Sequence, residues 1–467
     1  MNKPKNILFI MTDQMRADAL SLGTCCSKET PNLDALCKEG TRFTNCCTVS
    51  PICAPARAAL LSGLYPHQMG VWDNSPHTFP PEAKNWVRFL KKKGYKTSVF
   101  GKTHYYPYNG SVPDMREAEP LIQAYGYETV NEIPGPRVSA ILDSHMAALW
   151  EEQGFREKVK EDLAARYKGN QALAYPSVLP LDLYPDVYVG KTAGEYLQKY
   201  DNKEPFFCFV SFGGPHDPWD CPLPYVQRFE SIDMPESLPP FIDRYPDRPK
   251  GGWDTAPAYP PFSKEDVQNI RRNYAGKVTL IDEQIGHLCT ILKQKNLWED
   301  TLIIFTSDHG EMNGDKQRLY KENFFESALK IPLIIRIPGQ IAQTSSSLVG
   351  LQDIGPTIVE LAGETLDYPQ QGISLVPVLN GCQITHRNLV FSEYNQEIMV
   401  FDGNWKLVVN KDLKPYLLFN LAEDPLEHIN LAGGNLPEEK RLLQQIRTFL
   451  IDTQEGFYTR EDANHEK

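Results

Sequence analysis

Five segments of this chain are predominantly apolar, without alternation, and then stop abruptly: 6–11, 97–100, 206–212, 302–306 and 333–337. A strand with one face in water alternates apolar and polar residues. A strand that is apolar throughout is buried on both faces, as in a parallel sheet covered by helices. Each run is followed by polar residues or glycine, and a reactive side chain stands just after four of them: Asp13, Lys102, His216 and Asp308. Ligands of open α/β sheets bind beyond the carboxyl ends of the strands. The pattern therefore predicts an α/β fold with a single site at one edge of a large sheet.

Helical spacing places helices at 32–39, 56–62, 86–93, 188–199 and 263–294; in the last, Val278, Ile281, Ile285 and Leu288 recur on one face. Proline and aromatics crowd 220–262, including Tyr225, Tyr245, Trp253 and Tyr259. This stretch reads as a long irregular insertion over the site. A link at about 363–387 is followed by short strand signals at 389–394, 399–402, 405–410 and 417–421. A turn at Asp402-Gly403-Asn404 and a helix at 438–450 complete the C-terminal part. The expected architecture is a large mixed, mostly parallel sheet sandwiched by helices, over residues 1–375. A smaller subdomain, 385–467, carries an antiparallel sheet and a terminal helix. A chain of 467 residues exceeds what one small core needs.

The run Cys53-Ala54-Pro55-Ala56-Arg57-Ala58-Ala59-Leu60-Leu61-Ser62-Gly63 opens a helix with one thiol and one guanidinium. Arg57 lies one helical turn after Cys53, on the same face. Asp13 and Gln14 follow the first strand, and Asp308-His309-Gly310 a later one. Carboxylates and an amide oxygen are hard ligands suited to calcium or magnesium. An imidazole leaves room for manganese or another transition metal. Lys102 and His104 alternate, so they share one side of an extended chain.

These segments, in this order, resemble the formylglycine-dependent sulfatases of the alkaline phosphatase superfamily. The carriers are Cys-x-Pro-x-Arg with its Leu-x-Gly close, Thr12-Asp13-Gln14, Gly101-Lys102-Thr103-His104, Pro215-His216, Asp308-His309-Gly310 and Lys321. The close Leu418-Phe419-Asn420-Leu421, Asp424-Pro425-Leu426-Glu427 and Asn430-Leu431 completes the set. The resemblance implies a metal-dependent sulfuric ester hydrolase. Cys53 would be oxidised by a formylglycine-generating maturation enzyme to an aldehyde whose hydrate is a geminal diol. One diol oxygen would attack sulfur, and the other would expel sulfate by hemiacetal collapse.

The resemblance further implies that Asp13, Gln14, Cys53, Asp308 and His309 surround one divalent metal, calcium first, with magnesium and manganese as alternatives. Arg57 would bond the formylglycine. Lys102 would contact sulfate and diol, and His104 would hold the second diol oxygen. His216 would protonate the leaving alkoxide, and Lys321 would oppose charge on the bridging oxygen. His67 is a further candidate for substrate contact, and Lys316, Arg318 and Lys330 compete with Lys321. Ala56, Gln14 and His309 depart from the commonest family pattern. That combination also resembles phosphonate monoester hydrolases of the same superfamily, which cleave phosphoryl esters. A catalytically silent binder of sulfated glycans is the alternative from another class.

The formal net charge of -12 argues against a nucleic-acid partner. No apolar run approaches the roughly 20 residues of a membrane span. The apolar run behind Lys3 and Lys5 is shorter than a signal-peptide core, which predicts a cytoplasmic protein or one from which a signal has been trimmed. The ten cysteines include the adjacent pairs Cys25-Cys26 and Cys46-Cys47, with no metal-type spacing, and read mostly as reduced thiols. The expected substrate is a small-molecule or saccharide sulfate ester, a carbohydrate sulfate being favoured only slightly over a small alkyl or choline-like sulfate.

Overall fold

The computed structural model describes residues 4–20, 29–75, 77–168, 173–252, 261–382 and 384–454; Cys25, Cys26, Trp253 and Tyr259 lie outside them. The strands are β1 (Asn6–Asp13), β2 (Thr41–Cys47), β3 (Lys96–Gly101), β4 (Thr129–Glu132), β5 (Phe206–Pro215), β6 (Ile242–Asp243) and β7 (Thr301–Ser307). They continue as β8 (Leu333–Arg336), β9 (Gln343–Gly350), β10 (Val390–Tyr394), β11 (Glu397–Phe401), β12 (Trp405–Val409), β13 (Pro415–Asn420) and β14 (Ile429–Asn430). Eight of them form one sheet in the order β4-β3-β5-β1-β7-β8-β2-β9. From β4 to β7 every pairing is parallel.

β1 shows why its run is apolar throughout. Leu8 and Ile10 pack into one core, with Val189 and Ile281 from the helices Pro185–Lys199 and Lys264–Gln294. Ile7, Phe9 and Met11 pack into the other, with Leu60 and Trp86 from Cys53–Ser62 and Trp86–Lys92. Both faces are covered, so both alternating sets must be apolar. The 31-residue helix Lys264–Gln294 starts at a reciprocal cap. Ser263 Oγ accepts from Asp266 N at 3.1 Å, and Asp266 Oδ2 accepts from Ser263 N at 3.0 Å.

Two expectations are corrected. The run at 333–337 reads as one more parallel strand, but β8 is antiparallel to both β7 and β2. The chain leaves β7 at the carboxyl edge, builds a loop there, and re-enters the sheet from that same edge. The described residues of the insertion at 220–262 do not line the cavity at the strand ends. Its described part docks on the long helix (Met234 N to Gln268 Oε1, 2.8 Å) and on Asp315 (Leu238 N to Oδ1, 2.9 Å). β6 then pairs in parallel with β14. Beyond the short helical turns Leu223–Val226 and Gln227–Phe229, the insertion's described backbone is largely irregular, so its N–H groups find partners on other elements.

β10 to β13 form a small antiparallel sheet. One face packs Met399, Val408 and Phe419 against Phe324 and Phe325 of the loop between β7 and β8. The other packs Val400, Leu407 and Leu418 against Leu442, Ile446 and Phe449 of the helix Pro437–Asp452. No described helix is long and apolar enough to cross a membrane. No described cysteine is in a disulfide.

The stretch leading into β10 is pinned by Asp353. This buried carboxylate accepts from Gly350 N (2.9 Å), Ile373 N (2.8 Å) and Arg387 Nε (2.8 Å), and lies 3.1 Å from His386 Nε2. Burial works to raise its pKa, but Arg387 and His386 hold it down at about 2, below the ordinary 3.8. A depressed carboxylate stabilises the fold above its unfolded pKa and loses that contribution as pH falls through the folded value. Asp353→Asn should therefore cost about 3 kcal/mol at neutral pH by stranding Arg387. The gap in thermal midpoint between variant and wild type should shrink from pH 4 toward pH 2. A gap that is constant over that range would exclude the charge as its source.

Candidate active site

Four adjacent strands, β3, β5, β1 and β7, end beside one another in the sheet. Just beyond their ends, or as the last residue, stand Lys102, His216, Asp13 and Asp308. Gly101 lets β3 end there. Its φ is +102°, and a Cβ would lie 1.8 Å from the Ser211 carbonyl oxygen of β5, so only glycine permits this approach. Lys102 then enters the site from the adjoining backbone.

Cys53 is the first residue of the helix Cys53–Ser62, every residue of which is buried. The helix closes at Gly63, φ +80°, whose N–H bonds Ala59 O at 2.8 Å. Its start is held by Asn74, whose Oδ1 accepts from Ala54 N at 2.9 Å. Arg57, one turn on, donates Nε to Asp308 Oδ2 (2.8 Å) and Nη1 to Lys102 O (2.6 Å) and Ser211 Oγ (2.9 Å). Its Nη2 is buried with no hydrogen-bond partner among the described residues, 3.9 Å from Asp13 Oδ2.

Asp13, Cys53, Asp308 and His309 are buried together, with one ligand atom from each inside a group no wider than 4.8 Å. Cys53 Sγ is 3.2 Å from His309 Nε2 and 3.7 Å from Asp13 Oδ1. His309 Nε2 lies 3.7 Å from both Asp13 Oδ1 and Asp308 Oδ1. His309 Nδ1 is 2.9 Å from Gly310 O, a carbonyl that can only accept, so Nδ1 carries a proton and Nε2 faces the carboxylates. Asp308 Oδ1 is oriented by Gln14 N (3.0 Å) and His309 N (2.9 Å). The donor chemistry and its compactness fit one divalent cation.

Gln14, φ 72°, presents its Oε1 to Lys321 Nζ and its Nε2 to Glu311 Oε2. Burial works to raise the Asp13 carboxyl, but Lys102, His216, Lys321 and Arg57 hold it well below the usual carboxylate range. Lys102 Nζ is its direct partner. Burial and Asp13 push the Cys53 thiol up, yet Lys102, Lys321 and His309 bring it well below an ordinary thiol.

His104 is buried at φ 57°. Its ring stacks on Tyr108 (centroids 4.3 Å, planes 12° apart), and its N–H donates to Tyr108 OH at 2.9 Å. Its Nδ1 has no hydrogen-bond partner among the described residues, and burial, Lys102 and Arg57 push its pKa well below that of an ordinary histidine. His216 Nδ1 sits 2.7 Å from Asp217 O and 3.2 Å from Asp217 Oδ1, leaving Nε2 free of those contacts. Burial and Lys321 push His216 down to about 4. Lys277 Nζ holds the same turn, donating to His216 O (2.6 Å) and Pro218 O (3.1 Å).

Cys53, Lys102, His104, His216 and Lys321 all line one cavity of about 230 Å³. Of the competing cations, Lys316 donates to Leu426 O and Glu427 O, and Lys330 pairs with Glu326 at 3.1 Å. His67 is not in the lining. Its Nδ1 lies 2.6 Å from Glu393 Oε1 and its Nε2 2.9 Å from Thr453 Oγ1, so it joins its turn to the small sheet and the terminal helix. No described residue of 220–262 lines the cavity. Sequence reasoning assigned no role to Arg137, Asp217, Asn74 or Tyr320; only Asp217 carried a local signal, as part of Pro215-His216-Asp217-Pro218.

A family model described as Sulfatase matches residues 5–364, and one described as N-sulphoglucosamine sulphohydrolase, C-terminal, matches residues 314–455. The chain is 30% identical to a choline-sulfatase of Rhizobium meliloti (strain 1021), over 91% of this chain and 82% of the relative. It is 28% identical to an arylsulfatase of Clostridium perfringens (strain 13 / Type A), over 97% and 94%. Among solved structures, the phosphonate monoester hydrolase of Agrobacterium radiobacter superposes with TM-score 0.78 at 26% identity, covering 97% of this chain and 95% of that one.

Proposed function

The chain belongs to the sulfatase family of sulfuric ester hydrolases, and from that premise we propose that it cleaves an organic sulfate ester using a formylglycine made from Cys53. The observation that carries this reading is the position of Cys53. It stands at once in the cluster with Asp13, Asp308 and His309 and on the wall of the cavity that holds Lys102, His104, His216 and Lys321.

Asp13, Asp308 and His309, with residue 53 and Gln14, would hold one divalent cation. The two carboxylates favour calcium, and His309 makes manganese its competitor. The cation would polarise the sulfate oxygens and favour the ionised nucleophile. The hydrated aldehyde would supply an attacking oxygen and a second hydroxyl for releasing sulfate. Two buried polar atoms without a hydrogen-bond partner among the described residues fit such a group: Arg57 Nη2, which can donate to one oxygen of residue 53, and His104 Nδ1, which can take a proton from the other. Lys102 and Lys321 bind the sulfate oxygens. His216 directs Nε2 at the leaving oxygen while Asp217 fixes Nδ1. An anion beside Lys321 offsets the charge that holds His216 down, and so lets it carry the proton it donates.

The likeness to a phosphonate monoester hydrolase favours a second reading, hydrolysis of a phosphonate monoester or phosphodiester by the same groups. The test is a panel of sulfate, phosphonate and phosphate esters, run on protein whose Cys53 peptide is lighter by about 18 Da, as thiol-to-aldehyde conversion requires. Sulfate esters should give the highest kcat/KM. A phosphonate preference would transfer the assignment to the second reading.

The role of His216 has its own test. Aryl sulfates leave as phenolates and need little protonation, whereas alkyl and sugar sulfates need it strongly. His216→Ala should therefore reduce kcat/KM for an alkyl sulfate by about 10²–10⁴-fold. The loss for nitrophenyl sulfate should be far smaller. Equal slopes against leaving-group pKa in wild type and variant would move the role to Lys321.

A further inference from the structure

Arg137 stands in the cavity wall with hydrogen-bond donors to spare. Its Nε donates to Asp217 Oδ2 at 2.5 Å. Its guanidinium lies over Tyr320, 4.2 Å from the ring centroid, and over Tyr167 at 5.3 Å. One charged hydrogen bond and two aromatic rings thus fix the plane of the group. They leave Nη1 and Nη2 with no hydrogen-bond partner among the described residues, on a side chain that is 42% exposed. The other fixed cations of the wall already have partners, Lys102 in Asp13 and Lys321 in Gln14. Glu322 is the one carboxylate in the described lining.

A guanidinium in this state is built for an anion. Its fork matches the two oxygens of a carboxylate or a sulfate, and charge-assisted bidentate pairs are the strong ones. The rotamer entropy that binding would otherwise cost is already lost to the tyrosines and Asp217. The reacting sulfate does not need it, because Lys102, Lys321, His104 and His216 line the same cavity. At about 230 Å³ the cavity is also larger than a sulfate group, and it offers Asn74, Ser75 and Asn109 as hydrogen-bonding side chains suited to sugar hydroxyls.

We propose that Arg137 receives a second anionic group of the substrate, a carboxylate or a further sulfate on the same sugar. It thereby selects acidic saccharide sulfates over neutral or cationic sulfate esters. The proposal rests on the sulfate-ester reading above.

The experiment compares wild type, Arg137→Gln and Arg137→Lys, each with formylglycine verified at position 53. Four substrates are used: a sulfated neutral hexose, a sulfated hexuronic acid, a disulfated hexose and choline sulfate. Wild type should prefer at least one acidic sugar to the neutral hexose by about 10-fold or more in kcat/KM, the scale of one hydrogen-bonded charge pair. It should turn over choline sulfate least well. Arg137→Gln should erase the acidic preference, mainly through KM. Arg137→Lys, which keeps the charge beside Asp217 but loses the fork, should keep only part of it. Loss confined to the hexuronic acid identifies a carboxylate, and loss confined to the disulfated sugar identifies a sulfate. Equal losses on every substrate would overturn the proposal, leaving Arg137 to act only through Asp217 and His216. No acidic preference in wild type would overturn it too. If wild type hydrolyses none of the four but cleaves a phosphonate ester, the sulfate-ester reading fails and takes the proposal with it.

Discussion

Cys53→Ala should lower kcat by at least about 10⁴-fold, the scale on which enzymes lose rate with their nucleophile, and should leave the fold intact. Residue 53 begins a fully buried helix whose start is capped by Asn74. Alanine is the best residue for that backbone, and it removes only one sulfur atom. The Arg57 contacts with Asp308, Lys102 and Ser211 do not involve the thiol and persist. Far-UV circular dichroism and the thermal midpoint should therefore stay near those of wild type. Cys53→Ser refines the test. A serine oxygen can attack sulfur but has no second hydroxyl with which to expel sulfate. It should give at most one turnover per enzyme and then stop, whereas wild type continues. Wild-type kcat in Cys53→Ala, or steady turnover in Cys53→Ser, would sink the covalent mechanism with its built-in release.

The residues that could be placed from sequence are those at the ends of doubly buried strands. β1, β3, β5 and β7 carry no alternation because helices cover both faces, and the first polar residue after each had to sit at the sheet's edge. The strands that escaped notice are of another kind. β9, Gln343–Gly350, is an edge strand, exposed at alternate residues in its first half, and reads as a polar loop. β4 is a four-residue strand at the opposite edge. β2 mixes buried and half-buried positions. The direction of β8 was equally illegible, because burial on both faces dictates composition and not polarity; the loop that returns the chain sets the direction.

Within the site the same division holds. Asp13, Lys102, His216 and Asp308 follow from strand ends; Cys53 is singled out by the resemblance that Cys-x-Pro-x-Arg carries, and helical spacing puts Arg57 on its face. Arg137 and Tyr320 lie in loops, and their meeting depends on tertiary placement that no local pattern encodes. Tyr320 and Glu322 both have positive φ, so the backbone around Lys321 takes a path that propensity disfavours. His67 failed as a substrate contact for a related reason. Its ring nitrogens are satisfied by Glu393 and Thr453, both more than 300 positions away in sequence.

Removing the divalent cation should abolish turnover, and the ligand variants should grade the loss. Asp13→Asn or Asp308→Asn should weaken metal binding by at least about 100-fold, since even an outer-shell partner of a ligand is worth 10–100-fold. Each substitution subtracts one full negative charge from a group no wider than 4.8 Å. Each also strands a buried cation that the carboxylate now neutralises, Lys102 beside Asp13 and Arg57 beside Asp308. His309→Ala removes a neutral ligand and leaves both carboxylates, so its loss should be smaller. It should shift preference from manganese toward calcium, because the remaining donors are oxygens. Elemental analysis and the rise in thermal midpoint on adding each ion report binding independently of activity, since an ion that binds only the folded chain at 100 times its Kd adds about 2.7 kcal/mol. Full turnover by protein shown to be free of metal would refute the centre formed by Asp13, Asp308 and His309. An unchanged ion affinity in Asp13→Asn would remove Asp13 from it. In either case the two carboxylates would be left the electrostatic task their contacts already show, holding Lys102 and Arg57 in place against the nucleophile.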